Sequence, residues 1–321
     1  MITKFLDPKN DFAFKRIFGS KKHKNLLISF LNAVLKSQIC SPIQDLTFLK
    51  TVQDPEIAAK KQSTVDVMCQ DQEGAYYIVE MQVASQAGFE ARAQYYASKA
   101  YTSQMGAGDE YKDLKEVIFL AIADYIVFPK KKAYKSEHYT LDRQTGENDL
   151  DKIFFTFVEL PKFKKLLKRG GRRLEALTLE EKWYYFLIHA PVTTEKELGV
   201  LSGSLEIKEA YEALNYYGLS ARERRSYELA EKNRLDELAI RDKLKEEARE
   251  QGRKEGIEIG KEKGREEGKE EGKEEGRKEG RKEGIQTRNM EIAKSMLEAG
   301  EPIERIIKWT GLDKEAIEKL G

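Results

Sequence analysis

The feature that most restricts how this 321-residue chain folds is a pair of short apolar segments divided by a turn. Ser63-Thr64-Val65-Asp66-Val67-Met68-Cys69 and Tyr76-Tyr77-Ile78-Val79-Glu80-Met81-Gln82-Val83 are rich in β-branched and aromatic residues, with Asp71-Gln72-Glu73-Gly74 between them. The pattern predicts an antiparallel hairpin. Side chains two apart on a strand share a face, so Glu80 and Gln82 point the same way. Folding about residues 72–73 sets Asp66 opposite Glu80 to within a register step. Two carboxylates and an amide then converge on one sheet face, which is costly unless something compensates them. A bound divalent cation is the usual compensation, and Mg²⁺ suits it because it takes oxygen donors and keeps several waters.

The hairpin sits in an alternation of helices and strands. Asp7-Pro8-Lys9-Asn10-Asp11 carries turn and capping residues. Phe12, Phe14, Ile17 and Phe18, then Leu26, Leu27, Phe30, Leu31, Val34 and Leu35, recur at helical spacing. Residues 44–52 read as a strand, and residues 90–104 as a helix without a breaker. Val117 to Ala123 is a continuous apolar run of the kind found in strands buried on both faces, and Ile153 to Val158 is a further strand. Helices flanking a mixed sheet follow from this order. Residues 174–240 read as helical, with Thr178 and Glu181 at capping-box spacing and a charged helix beginning near Ala221.

Charged residues make up 35% of the chain and hydrophobic ones 40%, so the charge must be concentrated somewhere; it lies in the C-terminal part. Glycine recurs at every fourth position from 252 to 284, and residues 241–284 hold fifteen basic and fifteen acidic side chains. Each glycine opposes a helix by about 1 kcal/mol. Glu–Lys and Glu–Arg pairs three and four apart favour it by a few tenths of a kcal/mol each. A helix advances about 100° per residue, so a four-residue stripe drifts about 40° per repeat and makes no straight packing seam. The expectation is a solvated spacer of fluctuating helicity. Beyond it, Ile292, Met296 and Leu297, then Pro302 with Ile303, Ile306 and Ile307, then Asp313 with Ile317 and Leu320, mark three short helices. Such a tail suits either a helix-turn-helix or a small packing or dimerisation bundle.

The domain reading is a core over 1–173, a helical extension over 174–240, a repeat spacer over 241–284 and a short helical segment over 285–321. The formal net charge of +1 leaves nucleic-acid affinity to local patches. Lys130-Lys131-Lys132 is one, and Lys162, Lys164, Lys165, Lys168, Arg169, Arg172 and Arg173 form another. Cys40 and Cys69 form no metal-spaced pair, His23, His138 and His189 are scattered, and no apolar run is long enough to cross a bilayer. The N-terminus has no apolar signal segment, so the expected compartment is a reducing cytoplasm. On spacing alone, neutralisation of Asp66 and Glu80 by Lys60, Lys61 or Arg92, or solvation at an edge, is the commoner outcome for such a pair.

Other segments bear on that balance. Asp7-Pro8-Lys9-Asn10-Asp11-Phe12-Ala13-Phe14-Lys15-Arg16-Ile17-Phe18-Gly19, Val65-Asp66-Val67, Val79-Glu80-Met81-Gln82-Val83, Phe89-Glu90-Ala91-Arg92-Ala93-Gln94-Tyr95-Tyr96 and the Tyr101 region run in this order. Together they resemble the Rpn-type recombination-promoting nucleases, or PD-(D/E)XK nuclease family transposases, through about residue 230. The resemblance implies a restriction-endonuclease-like α/β core, αβββαβ, followed by a helical region and a charged tail. It implies metal-dependent hydrolysis of DNA phosphodiester bonds in recombination or mobile-element biology. Asp66 and Glu80 would be the metal ligands, with Gln82 at the third catalytic position in place of the more usual lysine and Val65 in place of a proline. Asp11 matches an acidic position that can approach the same site, or it caps the first helix. Arg92, Tyr96 and Lys99 share one helical face, with Arg92 and Lys99 as candidate phosphate contacts; Tyr95 and Tyr101 read as core. Two further readings stand beside the enzyme. One is a catalytically degenerate nuclease core that docks DNA or a partner; the other is a homo-oligomeric scaffold assembled through the C-terminal helices.

Overall fold

The computed structural model describes residues 3–53, 63–106, 108–170 and 173–321, so Lys60, Lys61, Gly171 and Arg172 lie outside the described residues. The chain divides into two compact units, Met1–Glu237 and Leu238–Gly321.

The first unit opens with α1 (Asp11–Phe18) and α2 (Lys24–Val34). Asn10, not Asp11, is the cap of α1: its side chain accepts from the Phe12 N–H at 3.0 Å. Strands β1 (Leu46–Phe48), β2 (Val52–Gln53), β3 (Ser63–Thr64), β4 (Val67–Asp71) and β5 (Tyr76–Gln82) lead into α3 (Phe89–Thr102). Then come β6 (Val117–Ala123), β7 (Lys135–His138), β8 (Ile153–Glu159) and α4 (Leu160–Gly170). The main sheet has the order β1-β4-β5-β6-β8-β7. It is antiparallel at β1-β4-β5, parallel through β5-β6-β8 and antiparallel again at β7. Its α1, β1, β4, β5, α3, β6 series matches the expected αβββαβ core, a mixed sheet flanked by helices. Strand β7 was not anticipated: Lys135-Ser136-Glu137-His138 has no apolar alternation, and it forms because β8 leaves an edge to pair.

The β4–β5 hairpin follows its turn chemistry. Gly74 has φ +89°, a conformation costly for residues with a Cβ, and Asp71 Oδ1 accepts from the Glu73 and Ala75 N–H groups, both at 2.9 Å. The two faces of the sheet are covered differently. Val67, Cys69, Tyr77, Val79 and Met81 join the larger core with Phe14, Phe18, Phe30 and Trp183. Met68, Ile78, Phe119 and Phe157 pack beneath α3, whose buried Ala93, Ala97 and Ala100 let the helix sit close to the sheet. Alternation along β5 therefore turns Glu80 and Gln82 toward α3.

Helices α5 (Leu179–His189), α6 (Glu195–Leu201) and α7 (Leu205–Ala213) complete this unit with the first turns of α8 (Ala221–Glu298). Thr178 and Glu181 form the expected capping box of α5. At the start of α8, Tyr227 Oη accepts from the Asp7 N–H at 3.2 Å and Glu231 accepts from the Asn10 side chain at 3.1 Å. Glu223 pairs with Arg16. The N-terminal loop is thus clasped by residues more than 200 positions away.

In the second unit the repeat differs from a fluctuating spacer: residues 252–284 are helical throughout. Ion pairs one turn apart, Glu250–Lys254 at 3.0 Å and Glu274–Lys278 at 2.8 Å, act against the glycine cost. A Cβ added at any of the nine repeat glycines would meet nothing within 4 Å among the described residues. Helices α9 (Ile303–Thr310) and α10 (Lys314–Glu318) follow left-handed Gly300 and a Gly311–Asp313 turn, and bury Ile306 and Ile317 against Ala293.

Candidate active site

The hairpin register decides which polar residues meet. Val67 pairs with Val79 and Met68 with Ile78, so continuing the count sets Asp66 opposite Glu80. Asp66 itself is not in a strand, as its apolar neighbours suggested; it occupies a bend between β3 and β4. The reason is a change of partner. Thr64 pairs with Val52 and the Val65 N–H bonds Thr51 O at 3.0 Å, whereas Val67 onward pairs with β5. Released from the ladder, the Asp66 N–H points at Glu80 Oε1, 3.3 Å away, and Asp66 Oδ2 accepts from the Met81 N–H at 2.8 Å. The Glu80 carboxylate accepts from the Asp66 backbone and the Asp66 carboxylate from the backbone of Met81, the neighbour of Glu80, so the two acids are held together.

Both sit in low-dielectric surroundings. Glu80 is 4% exposed. Burial, and then the Asp66 carboxylate beside it, push the Glu80 carboxyl up to about 8. Burial also raises Asp66, offset by the Met81 N–H and by Lys15, while Asp11 acts in the same direction as burial. Gln82 Nε2 donates to Glu80 Oε2 at 2.9 Å, and Gln82 Oε1 accepts from Arg92 Nη2 at 2.8 Å.

The remaining expected residues divide. Asp11 and Lys15, an ion pair at 2.7 Å one turn apart on α1, lie near enough to act on the charge of Asp66. Arg92 meets Gln82 directly. Lys99 lies seven residues along α3 from Arg92, about 10 Å by helix rise, and the bonds of Glu80 are made by Asp66 and Gln82 instead. Tyr95 is 46% exposed rather than core, because its helix position faces away from the sheet; Tyr101 packs against the core beneath α3. Lys162 is withdrawn from its basic cluster, with its Nζ on Glu159 and on the Phe128 carbonyl. Lys164, Lys165, Lys168 and Arg169 remain exposed.

Two residues at the rim were not anticipated. The Asp124 N–H donates to the Gln82 carbonyl at 2.8 Å, and the Asp124 carboxylate pairs with Lys9 at 3.1 Å, drawing the N-terminal loop to the end of β5. A signal for Asp124 was present in the sequence. It is the first polar residue after the apolar run of β6, and in α/β sheets ligands bind beyond the carboxyl ends of parallel strands.

Among the described residues no group of three or more His, Cys, Asp or Glu stands where it could hold a metal ion. Two carboxylates at the end of a hairpin do fit a hard cation that keeps its own waters. The fit also answers the electrostatics, since a cation removes the cost of two buried acids side by side.

The family comparison agrees with this geometry. The model of the PD-(D/E)XK nuclease family transposases matches residues 8–243, from the N-terminal loop into α8. The chain belongs to that family. No curated protein and no solved structure matches it. Membership identifies the first unit as a nuclease-type domain related to mobile elements, a family that generally uses divalent metal ions. Among the described residues no helix is long and apolar enough to cross a membrane.

Proposed function

We propose that this chain is a Mg²⁺-dependent DNA endonuclease that hydrolyses phosphodiester bonds in recombination or mobile-element processes. The observation that carries the reading is the mutual anchoring of Asp66 and Glu80, each accepting from the other's side of the hairpin, within a chain of this family. A bound cation would supply charge neutralisation at the scissile phosphate and activation of a water for in-line attack. Asp66 and Glu80 would hold it, and binding would displace the proton that burial favours on Glu80. Gln82 keeps the Glu80 carboxylate oriented and carries no charge of its own. Exposed Lys130, Lys131 and Lys132 on one loop and Lys164, Lys165 and Lys168 on α4 supply sequence-independent phosphate affinity. Cys40 and Cys69 are both free thiols, in keeping with a reducing cytoplasm.

The test is cleavage of supercoiled plasmid by the full chain with Mg²⁺. Asp66→Ala and Glu80→Ala should each lower nicking by about a hundred- to a thousandfold, the scale of losing a transition-state charge stabiliser, while DNA binding persists. Undiminished cutting in both variants removes these residues from the site. Gln82 favours the second reading, a DNA-docking core that no longer cuts. Its signature is salt-sensitive binding by the wild type with no nicking under any divalent ion.

A further inference from the structure

The site has no lysine at position 82, yet its two acids do not lack a cation. From Glu80 Oε2 the path runs 2.9 Å to Gln82 Nε2, and from Gln82 Oε1 2.8 Å to Arg92 Nη2. The amide fits only one way round, with its N–H₂ toward the carboxylate and its oxygen toward the guanidinium. A reversed amide would set oxygen against carboxylate and nitrogen against guanidinium.

Arg92 is built into place. Nη1 is held by Gln86 Oε1, and the guanidinium lies 5.2 Å from the Phe89 ring centre and 6.0 Å from that of Tyr96. Among the described residues its buried Nε has no hydrogen-bond partner. Among the described residues its hydrogen bonds go only to the two glutamine amides, and it makes no direct ion pair. A half-buried guanidinium with neutral partners is expensive where an acid partner is within evolutionary reach. A direct bond from Arg92 to Glu80 would satisfy both groups but would occupy the carboxylate with a fixed cation. Interposing Gln82 leaves Asp66 and Glu80 able to take an exchangeable one.

We propose that Arg92 is a positioning residue of this site: through the Gln82 amide it fixes the Glu80 carboxylate, and it supplies the positive charge that position 82 lacks. The assignment rests on the metal-dependent nuclease reading, and it differs from a phosphate contact because both terminal nitrogens of Arg92 are turned to side chains of this chain. The general pattern is known: a second layer of hydrogen bonds orients metal-binding carboxylates, and its loss costs about ten- to a hundredfold in activity or affinity.

The experiment compares Arg92→Gln, Arg92→Lys, Gln82→Lys and the Gln82→Lys/Arg92→Gln double variant of the full chain, in plasmid nicking and in Mn²⁺ calorimetry. Arg92→Gln should lower kcat by about ten- to a hundredfold with KM for DNA changed by less than about twofold. Arg92→Lys should recover most of it. Gln82→Lys brings two cations face to face and should be impaired, and adding Arg92→Gln should restore cutting above either single variant. Equal losses in Arg92→Gln and Arg92→Lys with a raised KM would instead make Arg92 a phosphate contact. A Gln82→Lys effect indifferent to residue 92 would also overturn the assignment. If the wild type shows no cutting sensitive to Asp66→Ala, the nuclease reading itself has failed, and Mn²⁺ binding then decides. Mn²⁺ binding weakened about tenfold or more in Arg92→Gln, with Arg92→Lys near the wild-type level, supports the positioning role; equal or tighter binding by Arg92→Gln rejects it.

Discussion

Glu80 and Glu159 are the same residue type at the same depth, near the carboxyl ends of two strands that flank β6, and the chain treats them in opposite ways. Glu159 is fully buried and fully answered. It accepts from the Val127 N–H at 2.7 Å and the Phe128 N–H at 3.0 Å, and from Lys162 Nζ at 2.5 Å, one turn into α4. Glu80 has one long backbone bond, one amide bond and another carboxylate beside it. An acid that closes a loop is given a cation from its own chain. An acid that receives an exchangeable ion is kept without a direct one, at a cost to the metal-free fold.

The largest expected effect tests the first half of that contrast. Glu159→Ala leaves Lys162, whose side chain is 10% exposed, without its acid and orphans two N–H groups. Breaking such a pair from one side costs about 3–5 kcal/mol. Denaturant unfolding of metal-free protein should show a loss of that size, whereas Glu80→Ala should cost less than about 1 kcal/mol or stabilise. Equal losses would mean that Glu80 too is held for stability.

The second half is tested by pH. The Glu80 carboxyl in the folded chain lies near 8, above its ordinary 4.5. A raised acid contributes most to stability below its unfolded value, and that contribution is lost as pH rises through the folded one. Metal-free wild type should therefore weaken between pH 5 and 9 relative to Glu80→Gln, by at least the roughly 1.4 kcal/mol that one pKa unit carries. A flat difference across that range would show that Glu80 is already ionised and compensated. The same proton should appear on metal binding. Mn²⁺ titrations at pH 7 in buffers of different ionisation enthalpy should report release of about one proton, fading by pH 9.

How much of this was legible in the sequence depends on the range of each interaction. The Asp66–Glu80 register was, because a short turn with Asp71 and Gly74 fixes strand pairing locally and the side-chain period is two. The bend at Asp66 was not, since it arises where the chain leaves β2 for β5. The buried run of β6 declared itself by composition. The Lys9–Asp124 tie joins residues whose proximity depends on the fold of the whole unit, and no spacing rule reaches that far. Arg92 was visible as a helical neighbour of Tyr96; its turn toward Gln82 follows only once β5 is seen to present its even-numbered residues to α3. The helix through the repeat was not legible either. Summed propensity counts nine glycines against a helix but undercounts the one-turn charge pairs along the same segment.

The smallest expected effect comes from a third acid, which sharpens the contrast by changing burial instead of pairing. Asp11 pairs with Lys15 at 2.7 Å, as close as many buried pairs, but the two side chains are 62% and 43% exposed. Water already solvates both partners, so little is gained by their meeting, and pairs of this spacing on a helix contribute about 0.3–0.5 kcal/mol. Lys15→Ala should therefore change the unfolding free energy by no more than about 0.5 kcal/mol, and by less in high salt. Lys15 also acts on the charge of Asp66, so its loss should move metal affinity more than stability. If stability instead falls as far as in Glu159→Ala, distance alone would rank these pairs. The small value is expected because solvent exposure ranks them, and it is exposure that separates Asp11 from the two buried glutamates.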